Sequence, residues 1–143
     1  MILDASVGVK WIFQEALSEK AEALLKLAEE QKVEIVVPGL FYEELANACW
    51  LRVRKNLPLY GTTDDALDRI ADLPLLKTYP NRELTTVAYE NALQFNISAY
   101  DAHYVSLAEV YVAPLITADE KLLAACRGKF DFIESLAEIK LPA

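Results

Sequence analysis

Four acidic residues stand where a β-rich run should hand over to a helix, or on the first turns of a helix. Asp4 closes the opening run Met1-Ile2-Leu3-Asp4, and Glu44 lies on the helical stretch that follows Val37-Pro38-Gly39. Asp101 stands in Ser98-Ala99-Tyr100-Asp101-Ala102, and Asp119 ends Leu115-Ile116-Thr117-Ala118-Asp119. If the strands form one parallel sheet, all four carboxylates can gather beyond its carboxyl edge, where open α/β sheets bind ligands. Carboxylates crowded together in water-poor surroundings push one another's pKa values apart unless a cation is present. Mg²⁺ or Mn²⁺, hard ions that take oxygen ligands, would answer that need. The chemistry expected is that of a metal-dependent nuclease.

Small polar residues accompany the acids. Ser6 follows Asp4 by two positions and Thr117 precedes Asp119 by two, and such hydroxyls can hold a carboxylate or a bound water in place. Asn47 shares a helical face with Glu44, three residues before it, whereas Glu43 points about a quarter turn away. Each acid also has a purely structural reading. Asp4 and Asp119 can be N-caps of the helices that follow them. Ser98-x-x-Asp101 matches a capping box, and Glu44 can be a solvated helix residue like Glu43.

Composition bounds the rest. A chain of 143 residues is expected to be a single domain, residues 1–143, that buries roughly two thirds of its unfolded surface. The hydrophobic share of 54% is high for a soluble domain, so some of it is expected in a subunit interface. The helix carrying Val7, Trp11 and Phe13 is the expected place for that patch. No run approaches the ~18 apolar residues of a membrane span, and Asp4 interrupts the first apolar run, which argues against a signal peptide. Cys49 and Cys126 make neither a disulfide framework nor a metal knuckle and are expected to pack as small hydrophobes. The chain reads as cytoplasmic. A net charge of −8 argues against casual nucleic-acid binding, but carboxylates reserved for divalent ions lower the apparent charge without repelling phosphate.

Short β-rich runs alternate with longer helical ones, the pattern of an α/β domain with a parallel sheet. Strands are expected at 1–4, 33–37, 75–79, 115–117 and 130–133. Helices are expected around Val7–Phe13, from an N-cap at Ser18 through Ala28, at about 40–55 with Leu57-Pro58 ending it, at 62–72, at 82–95, around Asp101, and at 120–126.

With these residues in place, the chain resembles the PIN-domain family, and within it the toxins of VapBC-type toxin–antitoxin pairs. The likeness rests on Leu3-Asp4-Ala5-Ser6-Val7 followed by Lys10-Trp11, and on Pro38 with Glu44-Leu45-Ala46-Asn47. It continues in Tyr100-Asp101-Ala102 with Leu107-Ala108, and in Thr117-Ala118-Asp119-Glu120-Lys121-Leu122. The resemblance implies a three-layer α/β/α sandwich with a central parallel sheet, Mg²⁺- or Mn²⁺-dependent RNA cleavage, a homodimer and a small antitoxin partner. The family's four acidic positions fall on Asp4, Glu44, Asp101 and Asp119, with hydroxyl or amide roles at Ser6, Asn47 and Thr117. In such a site Asp4, Asp101 and Asp119 would hold the ion, and Glu44 would bind it directly or through water.

RNA also needs cations. Lys10 and Lys121 follow Asp4 and Asp119 within a turn or two, while Arg52, Arg54 and Lys55 lie two to three turns beyond Glu44. That trio reads equally well as a complement to the helix C-terminus. Trp11, Phe13, Tyr42 and Trp50 could stack bases, although helical spacing assigns them to the core or a dimer. His103 lies two residues after Asp101, which turns it away from that carboxylate. Two other readings compete: a catalytically silent module that only binds a protein partner, and an aspartyl-phosphate phosphotransferase with Asp4 as nucleophile. The second needs an Asp two residues on, and position 6 is Ser.

Overall fold

The computed structural model describes residues 1–55, 63–73 and 76–142. The elements run β1 (Ile2–Leu3), α1 (Ala5–Ile12), α2 (Ser18–Glu29), β2 (Ile35–Pro38), α3 (Leu40–Arg54), α4 (Thr63–Ala71), β3 (Leu76–Tyr79), α5 (Asn81–Phe95), α6 (Ala99–Tyr111), β4 (Leu115–Thr117), α7 (Glu120–Cys126) and β5 (Ile133–Ser135). The expected helix stop at Leu57-Pro58, and Thr62 and Leu75, lie outside the described residues.

The sheet has five strands, all parallel, in the order β3-β2-β1-β4-β5. Ile2 pairs with Val36 on one side and with Leu115 on the other, so β1 is central. Ile2, Leu3, Ile35, Val37 and Leu115 are inaccessible to solvent, as expected of strands covered on both faces. Connections from β1 through β3 progress one way across the sheet, and those from β3 through β5 progress back. Right-handed crossovers therefore put α1–α4 on one face and α5–α7 on the other. The packing agrees: α1 touches α2, α3 and α4, while α5 packs on α6 and α6 lies on β1, β2 and β4. The chain has the expected layered α/β architecture.

Helices α1 and α3 are locked together at Gly8. A Cβ there would lie 2.5 Å from Phe41 Cζ and 3.0 Å from Leu45 Cδ2, so only glycine permits this approach. Trp11 adds a tilted ring contact to Phe41 at 6.2 Å, and its Nε1 donates to the Ala21 carbonyl at 2.9 Å, tying α1 to α2.

Three expectations are corrected. Ser18 is not the N-cap of α2; Leu17, in the left-handed region at φ 69°, holds that position. The Ser18 hydroxyl instead accepts from Glu15 N and donates to Phe13 O, closing the loop between α1 and α2. The last strand is Ile133–Ser135, not 130–133, because Phe130 is spent on ring packing against Phe95 at 5.9 Å. Finally, Val7, Trp11 and Phe13 are buried within the chain, so α1 offers no apolar patch to a partner. The large exposed apolar side chains lie elsewhere, among them Tyr89 and Leu93 on α5, Tyr100 and Val110 on α6, and Trp50 and Val53 on α3. Among the described residues no helix is long and apolar enough to cross a membrane.

Candidate functional site

The strand order reverses between β1 and β4: the chain leaves β1 toward β2 on one side, and β4 lies on the other. Such a switch point opens a crevice beyond the carboxyl ends of the strands. Asp4 follows β1 and Asp119 follows β4 by two residues, so both acids stand at that crevice.

Asp4 is nearly buried, at 5% exposure. Its side chain makes no capping bond to α1. Instead Asp4 Oδ2 accepts from Ser6 Oγ at 2.5 Å and from Thr117 Oγ1 at 2.7 Å. Both hydroxyls accept in turn, Ser6 Oγ from Ala118 N at 2.9 Å and Thr117 Oγ1 from Asp119 N at 3.0 Å. The network stitches the end of β1 to the turn after β4, and leaves hydroxyl donation to Asp4 Oδ2 alone. The capping reading thus fails for Asp4.

Asp119 does cap α7: its Oδ1 accepts from Lys121 N at 2.8 Å and Leu122 N at 3.2 Å. Ser98 caps α6 by accepting from Asp101 N at 3.1 Å, which places Asp101 in the first turn of that helix. Glu44 is half-buried on α3, and Glu43 beside it is exposed. Glu44 Oε2 accepts a short hydrogen bond from the Tyr104 hydroxyl.

The acids sense one another. Burial pushes Asp4 above the usual carboxylate range, and the charges of Asp101 and Asp119 push it further. Burial raises Glu44 to about 7, with Asp4 and Asp101 adding repulsion. Asp101 is raised by burial, and the charge of Asp119 adds to it. Residues that immediately precede α1 and α7 and residues on α3 and α6 thus share one electrostatic environment. Among the described residues none of the four pairs with a lysine or arginine. Nor do any three converge as ligands on one point in this conformation, which is what mutual repulsion between uncompensated carboxylates favours. An all-oxygen donor set without protein countercharge fits a hard divalent cation.

The remaining sequence-derived residues divide. Asn47 is exposed on α3, one turn beyond Glu44. Lys121 is exposed in the first turn of α7, beside Asp119. Lys10 is committed to Glu15 at 2.9 Å, and Arg52 to the other oxygen of the same carboxylate at 2.8 Å; Arg52 also lies over the Phe13 ring at 4.2 Å. Arg54 lies over Trp50 at 5.2 Å, and Lys55 ends α3. The His103 Nδ1 donates to the Ala99 carbonyl of its own helix at 2.6 Å. Cys49 and Cys126 are both buried. Tyr104 went unread in the sequence, where an aromatic between Ala102 and Val105 looks like plain core. The available signal was that a buried phenol needs a partner, and Tyr104 lies one turn from Asp101.

The chain matches the PIN domain over residues 1–128. It belongs to the PIN-domain family. Ribonuclease VapC3 of Pyrobaculum aerophilum is 29% identical over 123 residues, which cover 85% of this chain and 91% of that protein. The crystal structure of PAE2754 from Pyrobaculum aerophilum superposes with a TM-score of 0.66 at 24% identity, over 95% of this chain and 83% of that one. A structure of FitAB bound to an IR36 DNA fragment gives 0.59 at 13% identity, over 99% of both chains. At these identities the two structures speak to the fold.

Proposed function

We propose that the chain is a divalent-metal-dependent endoribonuclease, the toxin of a toxin–antitoxin pair, working in the cytoplasm. The observation that carries this reading is the shared electrostatic environment of Asp4, Glu44, Asp101 and Asp119 at the sheet's switch point. Membership of the PIN-domain family and the likeness to a ribonuclease, VapC3, support it.

Asp4, Asp101, Asp119 and Glu44 would hold Mg²⁺ or Mn²⁺. A bound divalent cation supplies activation of water and neutralisation of charge on the scissile phosphate. The rest falls to the chain. Ser6 and Thr117 fix Asp4 by donating to one of its oxygens, which offsets part of the upward push that burial gives its pKa. Glu44, raised to about 7, holds a proton for much of the time at neutral pH and gives it up when a cation loads. Lys121, exposed beside Asp119, is the cation best placed for a phosphate. Lys10 and Arg52 share Glu15, so their charge is largely spent within the fold. Arg54 and Lys55, at ~1.5 Å per residue about 15 Å beyond Glu44, could reach only a flanking phosphate.

Water is the nucleophile in this reading, so single-stranded RNA should be cut to leave a 5′-phosphate. Cleavage of an RNA panel with Mg²⁺ or Mn²⁺, with chelator, and with an Asp101→Asn variant tests it. Activity that survives chelator, or a 2′,3′-cyclic phosphate product, refutes the mechanism. Inactivity of wild type with every RNA and metal would favour the silent binding module.

The exposed apolar residues Tyr89, Leu93 and Tyr100 support a homodimer, with a groove left for an antitoxin segment. A monomer by light scattering at tens of micromolar would count against that assembly.

A further inference from the structure

Tyr104 has no exposed surface, and it is among the largest fully buried side chains of the molecule. Leucine or phenylalanine would fill such a place without a polar atom to satisfy. The phenol is nevertheless there, and it links the site's separate elements. Its hydroxyl donates to Glu44 Oε2 across 60 residues. The backbone of Ala5, the residue after Asp4, lies near enough to bear on the same phenolic oxygen. The ring is carried on α6 three residues after Asp101, hence on the same side of the helix and one turn along. One side chain on α6, a turn beyond Asp101, therefore reaches the start of α1 and the first half of α3, the places where Asp4 and Glu44 stand.

We propose that Tyr104 is a positioning residue for the acidic site: its hydroxyl holds Glu44 by Oε2, which reserves Oε1 for the cation or its water. The proposal rests on the metal-site reading above. Glu44 is half-buried on α3, with Glu43 and Asn47 beside it open to solvent. Among the described residues no serine or threonine holds Glu44 as two hold Asp4; Tyr104 takes that part. A donor on one carboxylate oxygen fixes the plane of the group and directs the other, as residues behind a metal ligand commonly do.

Tyr104→Phe removes one oxygen and keeps the ring. Mn²⁺ binding by calorimetry, which needs no turnover, reads the effect. Affinity should fall ~10-fold or more, in the range typical when the support of a metal ligand is lost. In a Glu44→Ala background the same change should have almost no effect on Mn²⁺ affinity, because the group it positions is gone. A purely structural phenylalanine effect would persist in both backgrounds. Unchanged affinity in Tyr104→Phe, or an equal loss in both backgrounds, overturns the proposal and leaves the metal site standing. Wild type that takes up no Mn²⁺ overturns the metal-site reading and this proposal with it. Should Tyr104→Phe not fold, 3-fluorotyrosine incorporated at position 104 reports the bond instead. Its ¹⁹F resonance should move when Glu44 is changed to Ala, and an unmoved resonance overturns the proposal.

Discussion

The Thr117 hydroxyl donates to Asp4 Oδ2 at 2.7 Å, bridging 113 residues of chain and fastening the ends of the adjacent strands β1 and β4. Thr117 is itself buried, so Thr117→Val is close to isosteric and removes this donor together with the acceptor for Asp119 N. A hydrogen bond to a charged group is worth about 1.5–3 kcal/mol. We expect Thr117→Val to lower stability by about 1–3 kcal/mol in chelator at pH 8, and by less at pH 5, where Asp4 carries less charge. Urea melts at the two pH values measure this. A loss independent of pH would mean that the hydroxyl does not act through the Asp4 carboxylate.

Asp4, Glu44 and Asp101 all have folded-state pKa values above their ordinary ones. For a carboxyl raised on folding, the unfolded chain releases its proton first as pH climbs. Stability is then full below the unfolded value and falls as pH rises toward the folded one. For Glu44 that window runs from 4.5 to about 7. Metal-free protein should melt at a higher temperature at pH 5 than at pH 7.5, and Glu44→Gln should flatten part of the slope. Mg²⁺ should stabilise most at the upper end, where the ligands are ionised. A melting temperature that rises from pH 5 to 7.5 in chelator would contradict the shared environment of the acids.

Gly8 sets how closely α1 approaches α3, and so how Asp4 stands relative to Glu44. Phe41, whose ring a new Cβ would meet at 2.5 Å, is fully buried and has little room to turn aside. Gly8→Ala should cost about 1–3 kcal/mol by overpacking, in spite of alanine's better helix propensity of about 1 kcal/mol. It should also weaken Mn²⁺ binding. A variant as stable as wild type would show that the helices separate at no cost.

Much of this was legible in the sequence, for local reasons. The strand-to-helix transitions at Asp4 and Asp119 and the cap at Ser98 are written in residues within a few positions of one another. The two hydroxyls beside Asp4 and Asp119 were visible as spacing, although only the fold brings them to one oxygen. What stayed hidden depends on distant partners. Glu15 claims both Lys10 and Arg52, and nothing near Arg52 in the chain announces an acid 37 positions earlier. Tyr104 reads as core because it is core; its second task depends on Glu44, on another helix. The segment 130–133, with Phe130, Phe132 and Ile133, promised a strand, but ring packing at Phe130 accompanies a pairing shifted to Ile133–Ser135. The buried face of α1 misled in the same way, since an aromatic helix reads alike whether its own domain or a partner covers it.

Asp119 carries two tasks, and one substitution separates them. Its Oδ1 caps α7, and its charge bears on Asp4 and Asp101. Asn caps about as well as Asp, so Asp119→Asn keeps the hydrogen bonds and removes the charge alone. If capping were its whole contribution, stability would change little and Mg²⁺ would act equally on both proteins. In a carboxylate cluster the metal-free protein suffers repulsion that unfolding relieves. Asp119→Asn should therefore raise the melting temperature in chelator, by roughly 2–4 °C for each kcal/mol of repulsion removed. The stabilisation given by Mg²⁺ should shrink, because the variant binds the ion less tightly. Melting curves of both proteins, in chelator and in excess Mg²⁺, read the two effects separately. An equal Mg²⁺ response in the two would remove Asp119 from the cation site and leave it as the cap of α7.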